Sequence, residues 1–388
     1  MIRRFGFKNF YSFKEGAEVS FELPSVGLEA SKSSPSVGTI LCVKGKNASG
    51  KTNLLKALNF LHDFCCHSFI TKPDSRLWFS NYFSNPEPTE FYIEFESLST
   101  RTFFRYELVL QNNQVLSEVL YRKEARLTKL IERQEEVLTV VVKSLDSIRP
   151  INMRKNASFI STQHQYALDK TGVLLEVYNF FLSIHSNVFP FGLRDGNFIK
   201  EHYWVSKIYF EDSKAFELAK SLIRRFDTGV KDIQIVEKKD PETDQKRYIP
   251  VFYHETATGE LESLLIFDQS HGTRSLFSQI VLYSMALDAG GVLCMDEFDK
   301  HLHPDILPEL LQLFTEPAFN PHNAQLIFST HDTDILDVMG KYRTYIVDKE
   351  NNESFCYRLD EIQGSAIRND RPLAPLYRSG KLGGVPLL

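Results

Sequence analysis

Largely apolar runs mark three segments of the chain as buried strands. They span residues 40–43, 292–295 and 324–329, and polar residues follow each run directly. Strands that are covered on both faces in a parallel sheet show this pattern. After the first run, four leucines recur at helical spacing, namely Leu54, Leu55, Leu58 and Leu61. The sequence therefore predicts an α/β protein in which a buried strand leads into an amphipathic helix.

Alternating, aromatic-rich segments predict additional β-structure. Residues 2–10 and 17–23 fit two strands joined by a polar turn. An antiparallel sheet is predicted from four further segments, at residues 91–96, 103–110, 115–122 and 138–142. The charged stretch 122–136 lies inside this region and is predicted as a solvated face or a long hairpin tip. Residues 157–162 fit one more short strand, which would end at Gln163.

These segments divide the chain into three parts. Residues 1–60 and 256–388 are predicted to form two halves of one α/β head, and residues 61–255 are predicted to be an insertion between them. Within the insertion we expect a β subdomain at about 91–143, a helical lobe at about 165–226, and a hairpin at about 230–254, in keeping with the change of hydrophobic period.

Composition and charge narrow the class of protein. With 43% hydrophobic and 24% charged residues, the chain resembles an ordinary soluble globular protein. A net charge of −5 argues against a surface built entirely for nucleic acid, although a local basic patch stays open. The five irregularly spaced cysteines favour a reducing compartment. Since neither an apolar leader nor a run of about 18 apolar residues is present, we expect a cytoplasmic protein without a membrane span.

Candidate chemistry begins directly after the first buried strand. The pattern Gly45-x-x-x-x-Gly50-Lys51-Thr52 lies between that strand and the leucine-rich helix. This is the P-loop pattern in its usual context, where backbone N–H groups and a helix N-terminus surround phosphate, the lysine contacts the terminal phosphates, and the hydroxyl faces Mg²⁺. A nucleoside triphosphate is the expected ligand, with Asn47, Ser49 and Asn53 as further binding residues.

The other two buried strands end in groups that suit phosphate chemistry. Asp296 and Glu297 follow residues 292–295, and His331 follows residues 324–329. Because the carboxyl ends of parallel strands open on one crevice, we expect Asp296 to hold Mg²⁺ opposite Thr52. Glu297 is then expected to orient or deprotonate the attacking water, and His331 to hydrogen-bond the transferred phosphate or the water.

Two histidine-rich stretches carry weaker signals. His301 and His303 are two residues apart, and we favour a structural or interface role because no third ligand follows at useful spacing. His62, Cys65, Cys66 and His67 are also close in sequence. On a helix these four side chains are not expected to converge, so the sequence does not predict a zinc site there.

Together these blocks resemble the ATPase head shared by ABC-type, SMC and RecF-like proteins, in which a long insertion separates the P-loop from the Walker B strand. Gln269-Ser270-His271-Gly272-Thr273-Arg274 is similar to the signature motif of these proteins, with His271 in place of the first glycine. A helix is predicted to follow at residues 275–287. The Ser-x-Gly-Thr variant is typical of OLD-like and RloA-type bacterial ATPases, and the tail at residues 377–386 is similar to that of the RloA-type group.

The resemblance implies a fold, a cofactor set and a mode of assembly. The implied fold is an α/β P-loop NTPase, an ABC-ATPase-like head with an antiparallel β subdomain and an inserted helical subdomain. ATP and Mg²⁺ are the implied cofactors. Ser270, Gly272 and Thr273 would cap the γ-phosphate bound by a second copy, so that at least a dimer shares the ATP sites. A glutamine after a strand would link Mg²⁺ to the insertion, and Gln163 is our candidate.

The resemblance also implies a biological role. RloA-type ATPases are associated with bacterial defence against phage, which predicts an ATP-hydrolysing sensor or regulatory subunit. OLD-like relatives carry a nuclease domain after the head, whereas about 57 residues follow His331 here, too few for a typical independent domain. A separate effector protein, with a nuclease as the expected kind, is therefore predicted. The alternative is a RecF- or SMC-like DNA-binding ATPase in DNA repair or maintenance, with basic clusters of the insertion gripping DNA.

Overall fold

The computed structural model describes residues 1–24, 37–73, 75–166, 172–190, 192–193, 199–227, 229–239, 244–363, 367 and 371–385. The segment at residues 24–38, whose Ser, Gly and Pro content predicts a loop, lies mostly outside this set. The strands are β1 (Ile2–Lys8), β2 (Ala17–Ser20), β3 (Ile40–Lys44), β4 (Thr89–Glu96), β5 (Phe103–Gln111), β6 (Gln114–Lys123), β7 (Leu127–Gln134), β8 (Val137–Val141), β9 (Ile184–Ser186), β10 (Val188–Phe189), β11 (Gly192–Leu193), β12 (Val230–Lys239), β13 (Lys246–Glu255), β14 (Leu261–Leu265), β15 (Val292–Met295), β16 (Gln325–Ser329), β17 (Thr344–Glu350) and β18 (Glu353–Arg358). The helices are α1 (Lys51–His67), α2 (Phe159–Tyr166), α3 (Val173–Leu182), α4 (Ile199–Glu211), α5 (Ser213–Phe226), α6 (His271–Ala289), α7 (Leu307–Thr315), α8 (Ile335–Met339) and α9 (Leu373–Arg378).

The three buried strands predicted from apolar runs lie side by side in a six-stranded sheet. Its order is β18-β17-β3-β16-β15-β9, and all neighbours are parallel except the β17–β18 pair. Successive side chains of a strand point to opposite faces. Leu41 and Val43 accordingly pack in one core with α1, whereas Ile40 and Cys42 pack in a second core with α6 and α7. Burial on both faces explains why these strands are continuous apolar runs.

A second sheet is antiparallel and contains the predicted β subdomain. Its order is β2-β1-β4-β5-β6-β7-β8, so the two N-terminal strands extend it. The four strands predicted between residues 91 and 142 are all present. The interpretation of residues 122–136 as a solvated face or hairpin tip is wrong, because β7 occupies most of this stretch and pairs with both β6 and β8.

The charge pattern misled this prediction because one charged residue of β7 is fully buried. The Arg133 Nε lies 2.9 Å from Glu118 Oε2, and neither side chain is exposed to solvent. Glu118 also accepts hydrogen bonds from the Tyr106 hydroxyl and from the Ser158 hydroxyl. A strand with an arginine at a core position therefore has the composition of a surface strand.

Residues 157–162 are also different from the prediction. They lead into α2, which begins at Phe159, instead of forming a strand. The Ser158 Oγ accepts a hydrogen bond from the Ile160 N–H at 3.0 Å, which is the bond of a helix N-cap. A short apolar run does not distinguish a strand from a buried helix turn, and here the capping serine decides for the helix.

The remaining elements form a helical layer with its own small sheet. β12 and β13 make the predicted hairpin, and β14 adds a third antiparallel strand. Helices α4, α5 and α6 pack together beside this sheet. The division of the chain at residues 60 and 255 stays a prediction. Of the helices that the structure describes, none is both long and apolar enough to cross a membrane.

We expect Arg133→Met to destabilise the fold by about 3–5 kcal/mol, because it leaves the Glu118 carboxylate buried without its counter-charge. Arg122→Met on the adjacent strand is the matched control. Arg122 pairs with the largely exposed Glu124, and losing such a surface pair costs about 0–1 kcal/mol. Urea unfolding of the two variants and the parent chain measures both values. Equal losses in the two variants would contradict the importance of the buried pair.

Candidate nucleotide-binding site

The loop between β3 and α1 is shaped by a glycine that no other residue replaces easily. Gly50 has a φ of 117°, in the region that favours glycine, directly before α1 begins at Lys51. A Cβ on Gly50 would lie 2.7 Å from Ser354 Oγ and 2.9 Å from Ser12 Oγ. Because glycine has no side chain, the loop can pass close to these two serines.

Those serines fix the loop from opposite ends of the chain. The Ser354 hydroxyl donates to the Ser49 carbonyl at 2.6 Å and lies 2.7 Å from Ser12 Oγ. Asn53 Nδ2 donates to the same Ser12 Oγ at 3.0 Å. Asn53 was predicted as a nucleotide-binding residue, and its amide is also a support of the loop. No sequence pattern pointed to Ser12 or Ser354, since isolated serines carry no motif.

The polar groups of the loop suit an anion. The Lys51 ammonium donates to the Gly45 carbonyl at 3.0 Å and to the Lys46 carbonyl at 3.2 Å, so its charge lies over the loop. Burial lowers the pKa of Lys51, against the opposing effect of nearby Asp296. The Ser49 hydroxyl is buried without a hydrogen-bond partner among the described residues, and Asn47 is exposed at the loop tip. A bound phosphate would satisfy these donors, which supports the predicted ligand class.

The carboxylate of Asp296 connects the loop helix to the central sheet. Thr52 Oγ1 donates to Asp296 Oδ2 at 2.6 Å, and the Ser329 hydroxyl at the end of β16 donates to Asp296 Oδ1. The structure thus brings together Thr52 and Asp296, the two residues predicted to face one metal ion. A hydroxyl and a carboxylate are hard oxygen ligands of the kind that Mg²⁺ prefers, so this pair fits that cofactor.

Glu297 occupies a special backbone position next to Asp296. Its φ is 50°, uncommon for a residue other than glycine, and its N–H donates to Ser329 Oγ at 2.9 Å. The side chain is 40% exposed, and its Oε2 lies 3.5 Å from the Lys300 ammonium. This partly exposed side chain lines a cavity together with Asp296.

His331 follows β16 at the same edge of the sheet where Asp296 follows β15. Its N–H donates to both carboxylate oxygens of Asp299 at 3.1 Å, and its carbonyl accepts from the Lys44 ammonium at 2.6 Å. Burial lowers the pKa of the His331 ring, and the nearby Lys51 charge lowers it further. This shift favours the neutral imidazole, which has one ring N–H to donate.

The structure does not bring Gln163 to this site. Gln163 lies on α2, whose Ser161 hydroxyl donates to the Cys66 carbonyl near the C-terminal end of α1. Thr52 and Cys66 are separated by about 21 Å of helix. The predicted position after a strand was wrong because the preceding segment is helical, and an amide role for Gln163 at Mg²⁺ has no support from its location.

Asn187 occupies the place that we had expected for an amide side chain. It follows β9, the strand beside β15. Asn187 Nδ2 donates to the Asp296 carbonyl at 2.9 Å, and the Asp296 N–H donates to Asn187 Oδ1 at 2.7 Å. This two-way bond fixes the backbone of Asp296. Sequence reasoning missed Asn187 because a strand of three residues, Ile184–Ser186, is too short for periodicity to reveal.

The signature-like motif lies at the N-terminus of α6. The helix begins at His271, four residues earlier than predicted, because the Ser270 hydroxyl caps it by accepting the Thr273 N–H at 3.1 Å. Thr273 Oγ1 in turn donates to Asp227 at the end of α5. A Cβ on Gly272 would lie 2.9 Å from the His301 carbonyl, in the loop that follows Glu297. The motif therefore packs beside the loop after β15 and presents a helix N-terminus.

Solved structures with a similar fold include SMC head domains. One, described as an SmcHead bound to the C-winged helix domain of ScpA, matches with a TM-score of 0.51 and 14% identity, covering 92% of this chain and 96% of that chain. The SMC head domain from Thermotoga maritima matches with a TM-score of 0.43 and 14% identity, covering 94% and 99%. The first match confirms the predicted ABC/SMC-type head as the fold. A comparison with curated proteins finds no match.

Family membership follows from the sequence itself. Residues 40–337 match the family described as "AAA domain, putative AbiEii toxin, Type IV TA system". The matched region begins with β3 and extends past His331 into α8, so it contains the P-loop, the signature-like motif, Asp296 and Glu297. The chain belongs to this family of AAA ATPase domains.

Proposed function

We propose that this chain is an ATP-hydrolysing sensor or regulatory subunit of a bacterial anti-phage defence system, assembling through shared ATP sites and controlling a separate effector protein. A nuclease is the kind of effector that we favour. The observation that carries the enzymatic part is the 2.6 Å contact between Thr52 Oγ1 and Asp296 Oδ2, with Glu297 in the next position. This hydrogen bond connects the helix that follows the phosphate-binding loop to the two adjacent carboxylates, Asp296 and Glu297, at the end of a buried strand.

The proposed chemistry is positioning and electrostatic stabilisation. Thr52 and Asp296 would hold Mg²⁺, which neutralises charge on the phosphates when bound. Lys51 would contact the terminal phosphates. Glu297, which is partly exposed, would orient the attacking water and accept its proton. The neutral His331 ring would donate its N–H to an oxygen of the transferred phosphoryl group.

Shared sites are proposed because of where the signature-like motif lies. Ser270, Gly272 and Thr273 form a helix N-terminus at which Ser270 is exposed, Gly272 is half-buried and Thr273 is buried, and its backbone N–H groups and partial positive charge favour an anion. The motif packs against the loop that contains His301, beyond Glu297. We propose that it caps the γ-phosphate bound by a second copy, so that hydrolysis depends on assembly.

The biological role has weaker and separate support. The matched family is described as a putative AbiEii toxin of a type IV TA system, which is compatible with a role in defence. The resemblance to RloA-type ATPases points in the same direction. The alternative of a DNA-gripping ATPase is less favoured, because several basic residues of residues 61–255 are engaged within the chain: Arg149 with Asp146, Arg154 with the Phe69 and Thr71 carbonyls, and Arg225 with Glu309.

We expect Thr52→Val to abolish the strengthening of ATP binding by Mg²⁺, since it removes a metal-facing hydroxyl and keeps the side-chain shape. Binding of ATP in EDTA should change little. Thr71→Val is the matched control, because Thr71 follows α1 at its other end and its hydroxyl donates only to the Ser68 carbonyl. Calorimetric titration of ATP with and without Mg²⁺ measures the effect. Full Mg²⁺ dependence in Thr52→Val would contradict the assigned ligand.

Mixing two inactive variants tests the shared sites. Lys51→Ala should lose ATP binding, and Ser270→Asp keeps a helix-capping side chain but puts negative charge against the phosphate. In a random mixture, half of the dimers contain one chain of each variant. One of the two sites in each mixed dimer is complete, so hydrolysis should recover to about a quarter of the parent rate. Ser270→Asn, an uncharged cap, should stay active alone. No recovery in the mixture would argue for sites within single chains.

Protection from phage tests the proposed role. Cells carrying the chain with its neighbouring genes should lose protection when Lys51→Ala or Glu297→Gln is introduced, since both remove hydrolysis. Glu135→Gln, a change in the exposed turn between β7 and β8, should keep it. Plaque counts measure the outcome, and immunoblots show that each variant accumulates. Unimpaired protection by both site variants would contradict the defence role while leaving the ATPase measurable in vitro.

A further inference from the structure

Three potential metal ligands converge near the C-terminal end of α1. One ligand atom each from His62, Asp63 and His67 lies within 4.8 Å of the others. His62 Nε2 is 3.9 Å and His67 Nδ1 is 3.7 Å from the same oxygen, Asp63 Oδ1. The sequence-based expectation for His62, Cys65, Cys66 and His67 is therefore wrong for the two histidines, which converge on Asp63, a residue outside that set. Asp63 and His67 are one turn apart, and His62 turns toward Asp63 from the neighbouring position.

The separations are close to those of a coordinated ion. A tetrahedral site with metal–ligand distances of about 2.0–2.2 Å places its ligand atoms about 3.3–3.6 Å apart. The two measured distances exceed this by a few tenths of an ångström, which rotation of an exposed histidine side chain can close. His67 is 45% exposed and is free to make that adjustment.

Supporting bonds already orient two of the three side chains. His62 Nδ1 lies 2.8 Å from the Phe181 carbonyl, which accepts only a hydrogen bond, so Nδ1 carries the proton and Nε2 keeps its lone pair toward Asp63. Asn59 Nδ2 donates to Asp63 Oδ2 at 3.1 Å and leaves Oδ1 for the cluster. Metal-binding histidines and carboxylates are characteristically held by such outer bonds.

The cluster borders a cavity that reaches the nucleotide site. The cavity has a volume of about 290 Å³, and His62, Asp63, Asp296 and Glu297 all contribute to its lining. His185 lies in the same wall. Water or a further side chain in this cavity can complete the coordination that three protein ligands leave open.

We propose that His62, Asp63 and His67 bind a divalent transition-metal ion, with zinc as the best fit, at a site separate from the Mg²⁺ site. Two imidazole nitrogens and one carboxylate oxygen suit zinc and related ions, whereas Mg²⁺ prefers oxygen ligands alone. The ion would strengthen the connection between α1 and Phe181 of α3, and hence between the P-loop helix and the insertion. This assignment does not depend on the proposed function.

Zinc titration of the full chain tests the proposal. The protein is first stripped of metal with EDTA, and Zn²⁺ is then titrated in the presence of excess Mg²⁺. We expect calorimetry to show one equivalent of Zn²⁺ bound. His67→Ala should weaken this binding at least about tenfold, as should Asp63→Asn, which preserves side-chain size. His303→Ala is the matched control, because His303 is an exposed histidine that faces a single carboxylate, Asp305. Circular dichroism verifies that each variant is folded.

Cobalt substitution identifies the ligands. Co²⁺ bound by nitrogen and oxygen should give visible d–d absorption that His67→Ala removes. Strong thiolate charge-transfer absorption would instead indicate the cysteines, including Cys65 and Cys66 on the same helix, and would overturn the assignment. Zinc binding that is unchanged in His67→Ala and Asp63→Asn, or lost in Asp296→Asn alone, would also overturn it, because the ion would then lie elsewhere or in the nucleotide site.

Discussion

Asp296 is held by groups from three separate segments of the chain, and the site depends on this convergence. Thr52 of α1 and Ser329 of β16 donate to its two oxygens, while Asn187, which follows β9, bonds to its backbone in both directions. A carboxylate that is 3% exposed needs such partners, because burying an unpaired charge is costly. The neighbouring parallel strands must therefore end at the same edge of the sheet. Because Glu297 directly follows Asp296, Glu297 also lies near the loop.

The phosphate-binding loop depends on segments that are distant in sequence. Ser12 and Ser354 lie against Gly50, and the Lys46 ammonium pairs with Asp348 at 2.8 Å. The Asp348 carboxylate also accepts the Gly384 N–H at 2.9 Å, so the C-terminal segment is fixed to the same corner. A movement of either end of the chain would consequently change the geometry of the loop.

Helix α1 links two chemically different regions. Its N-terminus, at Lys51 and Thr52, offers the positive end of the helix dipole and a hard oxygen ligand. About 20 Å away, its last turns carry imidazoles and a carboxylate beside the insertion. The cavity lined by His62 and Glu297 runs between these regions. Because α1 packs against α2 and α3, it connects the phosphate-binding loop to these two helices.

The sequence by itself determined the P-loop, the α/β class, most strands and the grouping of Thr52 with Asp296, because these follow from local spacing and from the rule that parallel strand ends share one crevice. Prediction from the sequence failed where burial and the interaction partners of a side chain outweighed the local pattern. Arg133 made a core strand look solvent-exposed, Ser158 turned an apolar run into a helix, and Gln163 consequently lies far from the site. Only the tertiary structure could place Asn187 beside Asp296 and orient His62 by the Phe181 carbonyl, since these contacts join residues more than one hundred positions apart.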